Sequence, residues 1–280
     1  MVTTCTLPRE GAPNQFQRRW ALDNPVGRIL LVHGFGEHSG RYDHVATCLN
    51  DLGLDVSAFD LRGHGESGGR RVFVQHFRDY LEDTRCALEG VVEESQGEPI
   101  FLLGHSMGGQ IAARFVQQYQ PPLSGLILSS PAFGFAVQVP LWKALAGRFF
   151  SAVYPSLALP SGLDRDLLSH DPKVARDLAI DPHAQLNATA RWYTECLDVQ
   201  PKLLEDAPGV KIPLLCMLAG EDEITRVEDS RAFFEASGSQ DKQCLEYPGL
   251  YHEIFNELER DKVLADLCTW LGERIPGTQG

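Results

Sequence analysis

The chain has 280 residues, 43% of them hydrophobic and 22% charged. That balance is globular and excludes a disordered, collagen-like or small disulfide-scaffold protein. Lys and Arg number 25 against 38 Asp and Glu, for a formal net charge of −13. Such a surface repels phosphate backbones and argues against a nucleic-acid partner. The 7 cysteines show no metal-knuckle or redox spacing and read as reduced, mostly core residues. The first ten residues carry no apolar run of a secretory signal, and no apolar stretch is long enough to span a bilayer. The expectation is a cytoplasmic protein.

Arg28-Ile29-Leu30-Leu31-Val32-His33 is a short apolar run closed by Gly34, and it predicts a buried strand. Tyr42 to Leu52 predicts a helix and Leu54 to Phe59 a strand. Phe77, Leu81 and Leu88 mark one face of the next helix. Pro99 to Leu103 is a strand closed by Gly104, Ile111, Phe115 and Tyr119 lie at helical spacing, and Leu123 to Ser129 is another strand. This alternation predicts an α/β protein, its mostly parallel sheet covered by helices on both faces. From Pro131 to about Pro201 no strand is legible. The rhythm returns with Ile212 to Ala219 and Gln243 to Tyr247, and a last helix carries Val263, Leu264, Leu267, Trp270 and Leu271 on one stripe. The expected organisation is a core in two parts, residues 1–133 and 201–280, with a helical cap over 134–200.

Gly104-His105-Ser106-Met107-Gly108 matches G-x-S-x-G between a strand and a helix, the context this motif requires. A tight turn there exposes the Ser106 hydroxyl above the sheet, and the flanking glycines supply the room. A serine needs a base, and in chain order a carboxylate and then a histidine should follow. His252 lies between the last strand and the last helix. Gly220-Glu221-Asp222-Glu223-Ile224 follows the preceding strand and offers three carboxylates. Asp222 is chosen, with Ile224 as the apolar anchor after the acid, and Glu223 is the second candidate. An oxyanion hole needs two backbone N–H groups. Met107, directly after the nucleophile, and Phe35, in the His33-Gly34-Phe35-Gly36 turn, stand in the right places. His64 has no second ligand at metal spacing and reads as part of a structural turn, as His33, His38, His44 and His105 read as loop-packing groups. The chemistry calls for no metal and no cofactor.

These stretches resemble α/β-hydrolases of the monoacylglycerol lipase and lysophospholipase group, also described as serine aminopeptidase-like. The resemblance runs from about Arg19 to Leu271. It is carried by His33 to Tyr42, by Asp60-Leu61-Arg62-Gly63-His64-Gly65-Glu66-Ser67, by Gly104 to Gly109 and by Tyr251-His252-Glu253. It implies the α/β-hydrolase fold with a helical lid after the sixth strand, Ser106 as nucleophile, His252 as base and Asp222 as its orienter. It also implies Phe35 and Met107 as oxyanion donors. Glu37 and Arg41 match a polar pair near the head-group end of the pocket, either touching substrate or fixing the oxyanion loop as a salt bridge. The implied activity is two-step hydrolysis of a single-chain lipid ester, with a lysophospholipase as the nearest alternative. An amidase or aminopeptidase, or a ligand receptor on the same scaffold, stands further off.

Residues 131–160 contain Lys143 and Arg148, no acid and many aromatic or branched side chains, whereas the chain after Gly220 is acid-rich. An amphipathic lid of this kind hides its apolar side in water and shows it to a membrane or micelle. A dimer surface is the alternative reading of the same patch. Asp171-Pro172 and Asp181-Pro182 each predict a helix start, with Asp as cap and Pro in the first turn.

Overall fold

The computed structural model describes residues 1–136 and 141–275. The chain opens with β1 (Val2–Leu7) and β2 (Gln15–Trp20), then β3 (Gly27–Val32), α1 (Asp43–Asp51), β4 (Leu54–Phe59), α2 (Arg78–Glu93), β5 (Ile100–His105), α3 (Met107–Tyr119) and β6 (Gly125–Ser129). It then leaves the sheet for α4 (Leu141–Val153), β7 (Ala158–Pro160), α5 (Pro172–Ile180), β8 (Asn187–Thr189) and α6 (Ala190–Glu205). It returns with β9 (Leu214–Ala219), α7 (Val227–Ala236), β10 (Lys242–Tyr247) and α8 (Arg260–Gly272). The sheet has 8 strands in the order β1-β2-β4-β3-β5-β6-β9-β10. Only β1–β2 and β2–β4 pair antiparallel. All other neighbours run parallel.

Period-two alternation divides the core between the faces of the sheet. Leu30, Val32 and Leu102 point to the side closed by Tyr80 and Leu88 of α2, Ile111 and Phe115 of α3, Cys196 and Leu203 of α6, and Phe233 of α7. Ile29, Leu31 and Leu103 point to the side closed by Val45 and Leu49 of α1 and by Val263, Leu267 and Trp270 of α8. Strands buried on both faces are mostly apolar, which is why residues 29–32 of β3, 100–103 of β5, 126–128 of β6 and 214–219 of β9 read as apolar runs.

Five expectations change. The segment after β6 is not free of strands: Leu159 pairs antiparallel with Ala188 in a two-stranded ribbon of β7 and β8. β1 and β2 extend the sheet where no strand was expected. Asp171 caps α5, accepting from the Lys173 amide with Pro172 in the first turn, but Asp181-Pro182 ends that helix and opens a turn closed by His183 N–H on Asp181 Oδ1 at 2.8 Å. Of the cysteines, Cys196 and Cys216 are buried, whereas Cys5 is exposed and Cys48, Cys86, Cys244 and Cys268 are half-buried. The expected boundary between cap and core at 200–201 falls inside α6, whose Trp192, Cys196, Val199 and Leu203 join the main core. The expected cap residues 137–140 lie outside the described residues.

Candidate active site

The loops that follow β3, β5, β9 and β10 converge at the carboxyl ends of the parallel strands, where open α/β sheets place their ligand crevices. Ser106 joins β5 to α3 with φ 53° and ψ −119°, a region that side chains disfavour. Its surroundings fix that conformation. The Ser106 amide donates to the Ser129 carbonyl at 2.9 Å, and its carbonyl accepts from the Ala132 and Gln110 amides at 2.9 and 3.1 Å. A Cβ on Gly104 would overlap the Gly108 carbonyl, and one on Gly108 would overlap the carbonyl oxygen of Val32. Only glycine at both positions lets the turn close this tightly.

Ser106 Oγ lies 2.8 Å from His252 Nε2, and His252 Nδ1 lies 2.7 Å from Asp222 Oδ2. With the imidazole proton on Nδ1, that nitrogen donates to the carboxylate and Nε2 accepts from the serine. Asp222 Oδ2 also accepts from Thr225 Oγ1 at 2.8 Å, and Oδ1 accepts from the Ile224 and Thr225 amides at 2.9 and 2.8 Å. Asp222 is thus the carboxylate that meets the imidazole, while Glu221 and Glu223 are exposed.

Burial pushes His252 toward the neutral form, but the charge and hydrogen bond of Asp222, with Glu253 and Glu37 behind, outweigh it and raise the imidazole above its ordinary value. For Asp222, burial works upward, yet the charge and hydrogen bond of His252 and the bonds from Thr225 hold it below the ordinary carboxylate value. The His105 ring lies tilted against His252, with centroids 5.1 Å apart. Burial, and then the charge of His252, push it down to about 4, so it stays neutral beside the site.

Phe35 and Met107 are brought together by a residue that the sequence reading missed. Trp192 of α6 packs on the Phe35 ring at 4.5 Å and points its indole N–H to the Met107 sulfur at 3.1 Å. Gly34, one residue before Phe35, passes so close to Ser106 that a Cβ there would come within 3.2 Å of the serine Cβ. Glu37 and Arg41 lie just behind this loop. Glu37 Oε1 accepts from the Gly34 amide at 2.6 Å and from the Tyr42 hydroxyl at 2.7 Å, and Oε2 accepts from Arg41 Nη1 at 2.9 Å. Burial would raise Glu37, but the Arg41 guanidinium leads the groups that hold it at about 2.

A family model described as serine aminopeptidase, S33, matches residues 23–259. The chain belongs to this family of α/β-hydrolases. It is 34% identical over 257 residues to a monoacylglycerol lipase of Mycolicibacterium smegmatis, covering 90% of each chain. It is also 34% identical over 246 residues to phospholipase YtpA of Bacillus subtilis, covering 87% of this chain and 94% of that one. The crystal structure of a Paleococcus ferrophilus monoacylglycerol lipase superposes with a TM-score of 0.84 at 31% identity, over 93% of this chain and 99% of that chain.

In this S33 hydrolase the segment between β6 and β9 is bonded to both loops that flank Ser106. His38 Nε2 meets Asp181 Oδ2 at 2.8 Å, and the Gln185 amide donates to the Gly36 carbonyl at 2.9 Å. On the other side, the Glu253 amide donates to the Leu168 carbonyl at 2.7 Å. Glu257 Oε1 accepts from the Tyr251 amide at 2.7 Å and pairs with His170 Nδ1 at 2.9 Å, while Oε2 accepts from the His170 amide at 3.0 Å. Thr225, Glu253 and Glu257 were given no role by sequence, because their partners are settled only by the fold. His64, by contrast, is buried against His33, with ring centroids 5.4 Å apart.

α4 presents a different surface. Trp142 is 68% exposed, and Leu145, Phe149 and Val153 are each 60% exposed, all along one face of the helix. Beneath the segment, a cleft of about 430 Å³ lies between α4, α6 and α7, with Gln200, Arg226 and Asp229 among its lining. Phe133, Phe135, Tyr193, Leu197 and Phe233 line it. No helix among the described residues is long and apolar enough to cross a membrane.

Proposed function

We propose that this chain is a carboxylic ester hydrolase of the monoacylglycerol lipase type, with Ser106 as nucleophile, His252 as general base and then general acid, and Asp222 as the group that orients and charges the imidazole. The observation that carries this reading is the unbroken relay from Ser106 Oγ to His252 to Asp222, at 2.8 and 2.7 Å. Ser106 attacks the ester carbonyl as Nε2 takes its proton. Charge moves to the carbonyl oxygen, and the amides of Phe35 and Met107 are the donors we assign to it. His252 then protonates the leaving alcohol, and water repeats the sequence on the acyl-enzyme. Every atom that moves belongs to the chain, the ester or water.

We further assign the segment that carries α4, β7, α5 and β8 as a cap over the site. The aromatic wall of the cleft beneath it suits an acyl chain, and Phe133 on that wall directly follows Ala132, whose amide holds the Ser106 carbonyl. The exposed row of α4 suits brief contact with a membrane or micelle, where large apolar side chains gain by leaving water. A single-chain glycerol ester is the favoured substrate because the M. smegmatis relative carries that activity in its name. A lysophospholipid is the second reading, supported by the B. subtilis phospholipase at the same identity. The two separate in one experiment. Monoacylglycerol and lysophosphatidylcholine of equal chain length are supplied in the same detergent, and released fatty acid is followed. Faster monoacylglycerol turnover is expected, and preference for the phospholipid would replace the head-group assignment.

A further inference from the structure

Glu253 directly follows His252 in sequence, yet its side chain reaches back to the opposite side of the site. Arg41 Nη1 donates to Glu253 Oε1 at 2.9 Å and Nη2 to Oε2 at 2.7 Å, a bidentate pair between residues 212 positions apart. Nη1 also serves Glu37 Oε2, and Glu37 Oε1 holds the amide of Gly34. The Asn256 side-chain amide closes the far end, donating to Glu253 Oε2 at 2.7 Å. Glu37 and Glu253 are both buried, and the Arg41 side chain is 15% exposed. Both terminal nitrogens of the guanidinium are thus engaged by carboxylates of the chain.

We propose that Glu253 is a positioning residue: through Arg41 and Glu37 it locks the loop that carries His252 to the loop that carries Phe35, so that base and oxyanion donor keep one geometry. The inference rests on the ester-hydrolase reading but on no particular lipid. It gives Glu37 and Arg41 a loop-fixing role rather than contact with substrate. The bridge is rigid because each member is held at two or more points and water is largely excluded. It is also charged. Two carboxylates around one guanidinium leave a net negative group beside the imidazole, which favours the imidazolium formed as Ser106 attacks. The groups facing His252 are Asp222 after β9, His105 at the end of β5, Glu253 on its own loop and Glu37 on the oxyanion loop, with Arg41 between the last two.

Glu253→Gln keeps the size of the side chain and removes its charge. Hydrolysis of p-nitrophenyl butyrate across pH and the rate at which a fluorophosphonate labels Ser106 are the two readouts, with thermal melting as the check on folding. The bridge predicts kcat lower by about 10- to 100-fold with KM little changed. It also predicts an acidic limb of kcat/KM displaced to lower pH, since one of the charges that raise His252 is gone, and slower labelling. Glu253→Asp, which restores the charge but not the reach, should restore the limb and only part of kcat. Wild-type kcat with an unmoved limb would overturn the proposal. So would a raised KM at constant kcat, which would make Arg41 a substrate contact. If Glu253→Gln does not fold, Arg41→Lys takes its place: it keeps the charge and breaks the bidentate grip, and full kcat in that folded variant would also overturn the bridge. A wild-type chain inert to the ester would sink the hydrolase reading alone. The labelling rate would still decide on Glu253, slowed if the bridge positions His252 and unchanged if it does not.

Discussion

Asp222 meets His252 as an anchored carboxylate: Oδ2 accepts the hydrogen bond from Nδ1–H at 2.7 Å while Oδ1 is held by the Ile224 and Thr225 amides at 2.9 and 2.8 Å. An amide at this position would keep most of the shape and lose the charge, and it would favour the wrong imidazole tautomer. Asp222→Asn should therefore lose about 10⁴-fold in kcat with a nearly unchanged fold. Glu223→Ala, at an exposed carboxylate that the imidazole does not meet, should stay close to wild type. Steady-state kinetics with a circular dichroism melt on both variants tests the pair. Equal losses in the two would contradict the assignment.

The pH dependence follows from the same contact. His252 works as a base only when neutral, and Asp222, Glu253 and Glu37 raise it above the ordinary 6.5 despite burial. Activity should fall as pH drops through that raised value, so the acidic limb of kcat/KM lies above 6.5. Asp222 is shifted the other way and stays charged throughout this range. In the residual activity of Asp222→Asn the limb should move to lower pH, because the largest raising charge is gone. A limb that stays in place would show that another group sets it.

The turn at Ser106 has no room for a second side chain. A methyl group on Gly108 would overlap backbone carbonyl oxygens of β3 and its following loop, which no rotamer change relieves. Gly108→Ala should cost about 3 kcal/mol of stability or displace Ser106 from its base. Denaturant unfolding and fluorophosphonate labelling report the two outcomes, and a variant normal in both would contradict the packing described for the turn.

The exposed row on α4 makes a prediction about where the substrate is met. Leu145→Ser with Phe149→Ser changes side chains that are each 60% exposed, so folding should be untouched. Turnover of micellar monoacylglycerol and binding to phosphatidylcholine vesicles should fall, while turnover of soluble p-nitrophenyl butyrate stays the same. Equal effects on both substrates would place the row in the site itself rather than at a lipid surface.

Much of the fold was legible because burial on both faces keeps β3, β5, β6 and β9 mostly apolar, and such runs are hard to mistake once helices alternate with them. β2 escaped because Gln15-Phe16-Gln17-Arg18-Arg19-Trp20 mixes polar and aromatic side chains toward a sheet edge. β7 and β8 are three residues each, too short to show a period. Ser106 and His252 were readable because motif and chain order agree. Spacing could not separate Asp222 from Glu223, since the deciding bonds are from the amides of Ile224 and Thr225, a local turn that composition does not announce. Asp181-Pro182 looked like a helix start for the same reason: an Asp that accepts from a following amide caps helices and turns alike. The bridge from Arg41 to Glu253 was out of reach, because it joins residues 212 apart that share a site only after the sheet has formed.

Release of fatty acid from a monoacylglycerol by the wild-type chain and by Ser106→Ala tests the central claim most directly. Wild-type turnover that falls by about 10⁶-fold in the variant is the result predicted for a serine acting with its base as one unit. Turnover that survives the substitution, or a wild-type chain that leaves the ester intact, would contradict it.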